Sequence, residues 1–296
     1  MRVNDLSKVK GENAGIMAFG FFDSIHLGHR SVISEAIRLA RESGTVASVF
    51  LFRNNIFPIL GIEKYPIYTF EERLALIDSL GVDAVYFVDA DKEYLSLSPD
   101  SFISDLKEKI ALSGFTCGSD FSFGAMGRGE VSDLIASIGG KYRVIDLLTI
   151  DGEKVSTERV KDALRRGDLS AASSYLGRTF TLRRNVMRGR SDGSKMGFPT
   201  VNTEILSAPL RDGVYFTTVS FDGSIYRAVT NVGTHPTFDD MKRNIESYLL
   251  DYEGDLYGEE IEISFLRYHR GIEKYDSVDE LKDKIDNDVR ERRMYD

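Results

Sequence analysis

One cysteine in 296 residues, Cys117, leaves no partner within the chain for a disulfide and no set of thiolates for a metal cluster, so its expected role is packing. No apolar run approaches the eighteen or so residues of a membrane span. The first twenty residues alternate charges with short apolar stretches and hold no block of signal-peptide length. The expected location is therefore cytoplasmic, with no membrane partner. Positive charge is also short. With 38 Lys and Arg against 47 Asp and Glu, the formal net charge is −9, which argues against a nucleic-acid partner because sequence-independent affinity for phosphate backbones needs a basic excess. Small anions held by local positive sites remain open.

The residues present fall into two patterns. Up to about residue 150, strand-like runs at 16–19, 46–52, 84–88, 115–118 and 142–148 alternate with helix-like stretches near 30–41, 70–80, 100–112 and 130–138. Five strands with helices between them imply a parallel sheet. Thr69 and Glu72 make a capping box for the second helix. After about residue 180 the pattern is all-β, with runs at 215–221, 225–232, 245–250 and 261–266 and turn chemistry at Asp222-Gly223 and Tyr257-Gly258. A last helix follows a capping box of Ser277 and Glu280 and lines up Val278, Leu281, Ile285 and Val289. The predicted architecture is an α/β domain over 1–178, ending in a short helical stretch at 157–176, followed by a small barrel or compact sheet with a terminal helix over 179–296.

Two of the four histidines sit three residues apart in Gly20-Phe21-Phe22-Asp23-Ser24-Ile25-His26-Leu27-Gly28-His29, between a buried strand and an amphipathic helix. A helix N-terminus offers free N–H groups and partial positive charge, and an imidazole beside it donates readily to a phosphate oxygen. Gly28 is expected to let a ligand approach the backbone. A second segment, Gly193-Ser194-Lys195-Met196-Gly197-Phe198-Pro199-Thr200-Val201-Asn202, sets a hydroxyl and an amide oxygen two residues apart in an extended stretch, a spacing suited to a hard cation between phosphates. The same spacing fits a loop whose Thr and Asn bond their own backbone. Glu246, alternating with Ile245, reads from pattern alone as a solvated strand residue, and Phe121 and Phe123 read as much as a core pair as partners for a ligand ring.

Taken in order, these segments resemble the bacterial bifunctional riboflavin kinase/FMN adenylyltransferase family, the FAD synthetases. The likeness runs through residues 20–29, a Gly-x-Asp-Phe-x-Phe-Gly pattern at 118–124, a Ser-Ser-Thr-like segment at 155–161, Gly-Phe-Pro-Thr-x-Asn at 197–202, Asn231 to Phe238, residues 245–252, and Asp255-Leu256-Tyr257-Gly258. It implies a Rossmann-like nucleotidyltransferase domain followed by a six-stranded Greek-key barrel. The barrel would transfer the γ-phosphate of ATP to riboflavin, and the first domain would join AMP from a second ATP to FMN, giving FAD and pyrophosphate.

The resemblance also implies roles. Glu246 matches the catalytic glutamate of the kinase, and Thr200 and Asn202 its Mg²⁺ and ATP ligands beside Gly197. His26 and His29 match the catalytic pair of the adenylyltransferase. Gly20, Phe21, Asp23, Gly28, Ser156, Thr157 and Lys161 fall at its ATP positions, while Asp120, Phe121, Phe123 and Arg270 fall at flavin positions; Arg270 on its own reads equally as a surface charge. Several positions depart from the pattern. Ser24 stands for a glycine, Arg53-Asn54-Asn55-Ile56 for Pro-His-Pro, Glu158 for a hydroxyl residue and Lys161 for an arginine. Ser194 stands where an arginine is frequent, and Ile272 where a glutamate is expected. These departures keep two alternatives open: a riboflavin kinase whose adenylyltransferase half is weakened, and a non-catalytic flavin- or nucleotide-binding protein.

Overall fold

The central strands of the first half are buried, as parallel strands must be when helices make the crossovers, while the two edge strands are largely exposed. In the computed structural model, which describes residues 1–188, 198–205, 208–235 and 240–295, they form β1 (Arg2–Asp5), β2 (Glu12–Ala18), β3 (Ala47–Phe52), β4 (Ala84–Val88), β5 (Ile110–Gly118) and β6 (Lys141–Ile145). The order across the sheet is β1-β4-β3-β2-β5-β6, and every neighbouring pair is parallel. The sequence predicts five of these strands. The sixth, β1, is an edge strand whose four residues include Arg2 and Asp5, so no apolar run marks it.

Helices α1 (Leu27–Ser43) and α2 (Phe70–Asp78) cover one face of the sheet, and Ile33, Ala36, Ala40 and Ile77 meet Ile16, Val49, Leu51 and Val85 there. Beyond the short α3 (Lys92–Leu95), α4 (Pro99–Lys109) and α5 (Val131–Ile138) cover the other face, where Phe102, Leu106 and Leu134 pack with Met17, Phe50 and Phe115. The predicted Thr69–Glu72 capping box is present in both directions. Cys117 lies in this core with burial pushing its thiol up to about 12, which leaves it inert packing as expected. Strand order reverses between β2 and β5, so the carboxyl ends of these two strands border the crevice where open α/β sheets take their ligands.

By compactness the chain divides into Met1–Thr157 and Glu158–Asp296. A small hairpin, β7 (Thr149–Ile150) with β8 (Glu153–Lys154), closes the first unit. This division precedes the change of period at 177–183, because the helices after Thr157, α6 (Thr157–Arg166) and α7 (Leu169–Leu176), go with the second unit. There α7 packs on β9 (Phe180–Asn185) and β14 (Glu260–Arg270).

Between β9 and β14 run β10 (Thr200–Thr203), β11 (Gly213–Phe221), β12 (Ser224–His235) and β13 (Asp240–Leu249). The six form an antiparallel sheet in the order β10-β13-β12-β11-β14-β9. One further antiparallel bridge, Met187 N–H to Asn202 C=O at 2.8 Å, ties the continuation of β9 to the opposite edge, β10. The β11–β12 turn is the predicted Asp222-Gly223, both residues at positive φ, as the two-residue hairpin requires. The inner face carries Phe180, Tyr215, Val232, Ile245, Ile263 and Phe265, all buried.

The terminal helix α8 (Val278–Met294) starts at Ser277, whose side chain accepts from the Glu280 N–H. Its Val289 packs on Val214, Val229 and Leu250 on the outside of the sheet. Its Arg292 is buried and donates through two nitrogens, at 3.2 and 3.0 Å, to the carbonyl of Thr217, beside a register shift in the β11–β14 pairing. Bulges leave carbonyls without a ladder partner, and this arginine supplies one. Replacing Arg292 by Leu should therefore leave a buried carbonyl unsatisfied and cost about 2–4 kcal/mol, read as a lowered thermal unfolding midpoint.

Candidate active sites

His26 is the N-cap of α1, and its Nδ1 accepts the backbone N–H of His29 at 3.1 Å. The two rings stack, with centroids 3.7 Å apart and planes at 16°. Phe22 meets His29 edge-on, with centroids 5.3 Å apart. Gly28 also has a local reason: a Cβ on residue 28 would meet the His26 ring at 3.1 and 3.3 Å, so the glycine makes room for the capping imidazole. Gly20 does the same for Phe22, whose ring would lie 2.9 Å from an added Cβ. Phe21 packs against Phe57, with centroids 5.1 Å apart, at the edge of the core. Asp23 is buried, and one of its oxygens takes the Ile67 N–H at 2.7 Å.

The departures around this turn have local partners. Ser24 is buried, and its hydroxyl lies 3.0 Å from that of Thr157, joining the end of the first unit to the histidine turn. The residues with positive φ in the turn are Phe22 and Ile25, so the absent glycine at 24 imposes no left-handed strain. In the segment that replaces Pro-His-Pro, Asn54 exchanges hydrogen bonds with Ala90, 2.7 Å out and 3.0 Å back, and Arg53 pairs with Asp89. Arg73, buried on α2, donates to the carbonyls of Phe52 and Arg53 at 2.8 and 3.3 Å, and burial lowers its pKa. Glu158 is half-exposed and lies 3.3 Å from Arg165. Lys161 is buried on α6.

Across the switch point, Asp120 follows β5 and pairs with Lys154 at 2.5 Å, both half-exposed. Phe121 and Phe123 stack on one another, with centroids 5.9 Å apart. Phe123 is buried against Phe102, while Phe121 is only partly buried. Lys154 carried no signal in the sequence beyond its neighbours.

In the second unit the decisive feature is register. Asn202 on β10 pairs with Glu246 on β13, Glu246 with Asn231 on β12, Asn231 with Val214 on β11, and Val214 with Arg270 on β14. Cross-strand partners share a face, so Asn202, Glu246 and Arg270 stand on one transverse row, outside the packed interior. Thr200 Oγ1 donates to Glu246 Oε1, and Asn202 Nδ2 reaches the same oxygen at 3.4 Å. Asn202 Oδ1 accepts from Asn244 Nδ2 at 3.2 Å. Arg270 is held by Asp288 of α8 in a bidentate pair, with contacts of 3.0 and 2.6 Å, and Asp288 also meets His269 Nε2 at 3.1 Å. Nothing in the sequence pattern marked Asp288 as the partner. Gly197 and Ser194 lie outside the described residues.

Two family models divide the chain between them: FAD synthetase matches residues 8–159 and riboflavin kinase residues 176–295. The chain is 30% identical to the bifunctional riboflavin kinase/FMN adenylyltransferase of Bacillus subtilis, over 97% of this chain and 94% of that protein. It is 31% identical to that of Listeria monocytogenes, over 95% of this chain and 92% of that protein. The chain belongs to this family. Like its relatives, this riboflavin kinase/FMN adenylyltransferase phosphorylates riboflavin to FMN and converts FMN to FAD, with ATP and flavins as substrates. Enzymes of both kinds generally use a divalent metal.

A crystal structure described as a macrolide-efflux protein from Streptococcus pneumoniae superposes with a TM-score of 0.85 and 26% identity, covering 100% of this chain and 99% of that one. Its efflux description belongs to that protein. Among the described residues no helix is long and apolar enough to cross a membrane.

The packing of Gly28 against His26 gives a test. In Gly28→Ala the better helix former offsets the crowding, so stability should hold within about 1 kcal/mol. Displacing the imidazole should still lower FAD formation from FMN by on the order of tenfold, with riboflavin phosphorylation unchanged in the same preparation.

Proposed function

We propose that the transverse row is the phosphoryl-transfer site and that the histidine turn is the adenylyl-transfer site. The observation that carries the first assignment is the convergence of Thr200 and Asn202 on one carboxylate oxygen of Glu246. Such convergence fixes the orientation of a general base before substrate arrives. Glu246 takes the proton of the ribityl 5′-hydroxyl as that oxygen attacks the γ-phosphorus; the bond to the β–γ bridging oxygen breaks and ADP leaves.

Thr200 and Asn202 are the candidate protein ligands of Mg²⁺. The donor set fits this ion, because a hydroxyl and an amide oxygen are hard ligands and Mg²⁺ usually keeps waters and substrate phosphates around one or two protein oxygens. When bound, it neutralises charge on the phosphoryl group in flight. Arg270, braced by Asp288, closes the flavin end of the row.

In the first unit, an FMN phosphate oxygen attacks the α-phosphorus of ATP and pyrophosphate departs, a step that needs charge stabilisation rather than a base. Because His26 Nδ1 accepts the His29 N–H, the ring proton sits on Nε2, where it can be donated to phosphate. Ser156 and Thr157 complete the ATP side with Gly20, Phe21, Asp23 and the backbone of Gly28, and Lys161 is a candidate ATP residue of α6. Asp120 and the partly buried Phe121, backed by Phe123, take the flavin.

We assign the sheet of the second unit as a Greek-key barrel, supported by the spatial order β14-β11-β12-β13, in which the fourth strand returns beside the first. The functional division is kept at 1–178 and 179–296, and the family matches leave most of α6 and of α7 between them.

Glu246→Gln should abolish FMN formation from riboflavin while FAD formation from supplied FMN continues; kinase turnover near the wild-type rate would remove Glu246 as the base. His29→Ala should do the reverse, lowering FAD formation by about 10² or more and leaving kinase activity intact. Separating the flavins after incubation with ATP and Mg²⁺ reads both.

A further inference from the structure

Between the base and the flavin end of the row stands Asn231, directly across the ladder from Glu246 on the same face. Neighbouring strands lie about 4.8 Å apart, so the amide is one strand spacing from Glu246 in the direction of Arg270. The side-chain Nδ2 of Asn231 is buried and has no hydrogen-bond partner among the described residues. Most buried donors are satisfied, and one left open beside a site carries a cost that a ligand can recover. Beyond it, Val214 is buried and apolar, and Arg270 is engaged by Asp288. Asn231 is therefore the uncommitted donor on this row between base and flavin. The substrate segment that must lie between a phosphorylated 5′-oxygen and a flavin ring is a chain of hydroxyls.

We propose that Asn231 is a substrate-binding residue of the kinase site, donating from Nδ2 to the ribityl 4′-hydroxyl next to the reacting one. This rests on the reading of Glu246 as the base at the phosphorylated end. The amide sets the register of the polyol on the row, so that the 5′-hydroxyl rather than a neighbour meets Glu246. A site built to bond a substrate hydroxyl discriminates strongly against an analogue that lacks it.

The test compares riboflavin with 4′-deoxyriboflavin in the full-length enzyme and in Asn231→Ala and Asn231→Leu, the second filling the volume without a donor. In both variants kcat/KM for riboflavin should fall about tenfold to hundredfold, with KM for ATP unchanged. With 4′-deoxyriboflavin, wild type and variants should turn over alike. The thermal midpoint should hold or rise, because the lost group is a donor without a partner. An equal penalty on both flavins, an effect confined to KM for ATP, or a lowered midpoint with parallel loss on both substrates would overturn the assignment. Failure of the base reading shows separately, as kinase activity retained by Glu246→Gln, whereas the ratio between the two flavins reports on Asn231 alone.

Discussion

Register in the antiparallel sheet is the constraint on which the phosphorylating half depends. Side chains alternate with a period of two, so a slip of one residue in β13 would turn Glu246 into the interior and bring Ile245 or Ser247 out. The interior guards against that slip with a buried hydroxyl chain, Thr217 to Thr230 at 2.7 Å and Thr230 to Ser247 at 2.8 Å. Only one register satisfies all three hydroxyls, and a half-satisfied buried network is costly. The same register sets Asn202, Glu246, Asn231 and Arg270 in line on the other face. Packing inside thus positions the proposed phosphoryl-transfer row outside, and α8 locks the arrangement through Arg292 on Thr217 and Asp288 on Arg270.

The histidine turn is held by a different device. Phe22 and Ile25 both adopt φ of 47°, a left-handed conformation that costs a non-glycine residue about 1–2 kcal/mol. Both are fully buried, so core packing offsets the strain. Their conformations bend the chain so that β2 enters α1 through His26, and the cap converts a backbone requirement into a fixed imidazole. A helix start elsewhere uses Ser98 or Thr69 for the same bond; here the capping side chain also carries a titratable ring.

Much of this was legible in the sequence because it rests on local rules. Alternation and period marked the strands of both sheets, and Thr69 and Ser277 marked helix starts. Charged edge strand β1 and strand β9 escaped because neither carries an apolar run, and β10 was read only as an extended stretch. The packing of Gly28 against the His26 ring was not legible, since spacing along the chain does not reveal which way a ring turns. Long-range partners were the larger gap. Asp288 lies eighteen residues beyond Arg270 on a separate element, and Lys154 meets Asp120 from a hairpin that no periodicity announces. The row through Asn231 needed the strand order, which single-strand patterns do not contain.

The departures from the family pattern weigh less in three dimensions than along the chain. Ser24 replaces a glycine at a position without positive φ, and its hydroxyl reaches Thr157 rather than blocking the turn. The residues in place of Pro-His-Pro are fixed by Asn54 and by Arg73 on the carbonyls at the end of β3, so rigidity once conferred by proline is supplied by hydrogen bonds. Glu158 has Arg165 within 3.3 Å, which offsets its negative charge locally. The changes at Ser24, in the 53–56 segment and at Glu158 each have a partner within a few ångströms, as expected of a site under continued use rather than one decaying piecemeal. An adenylyltransferase half released from function would have no physical reason to keep Phe22 and Ile25 strained so that two imidazoles stack at the mouth of the sheet.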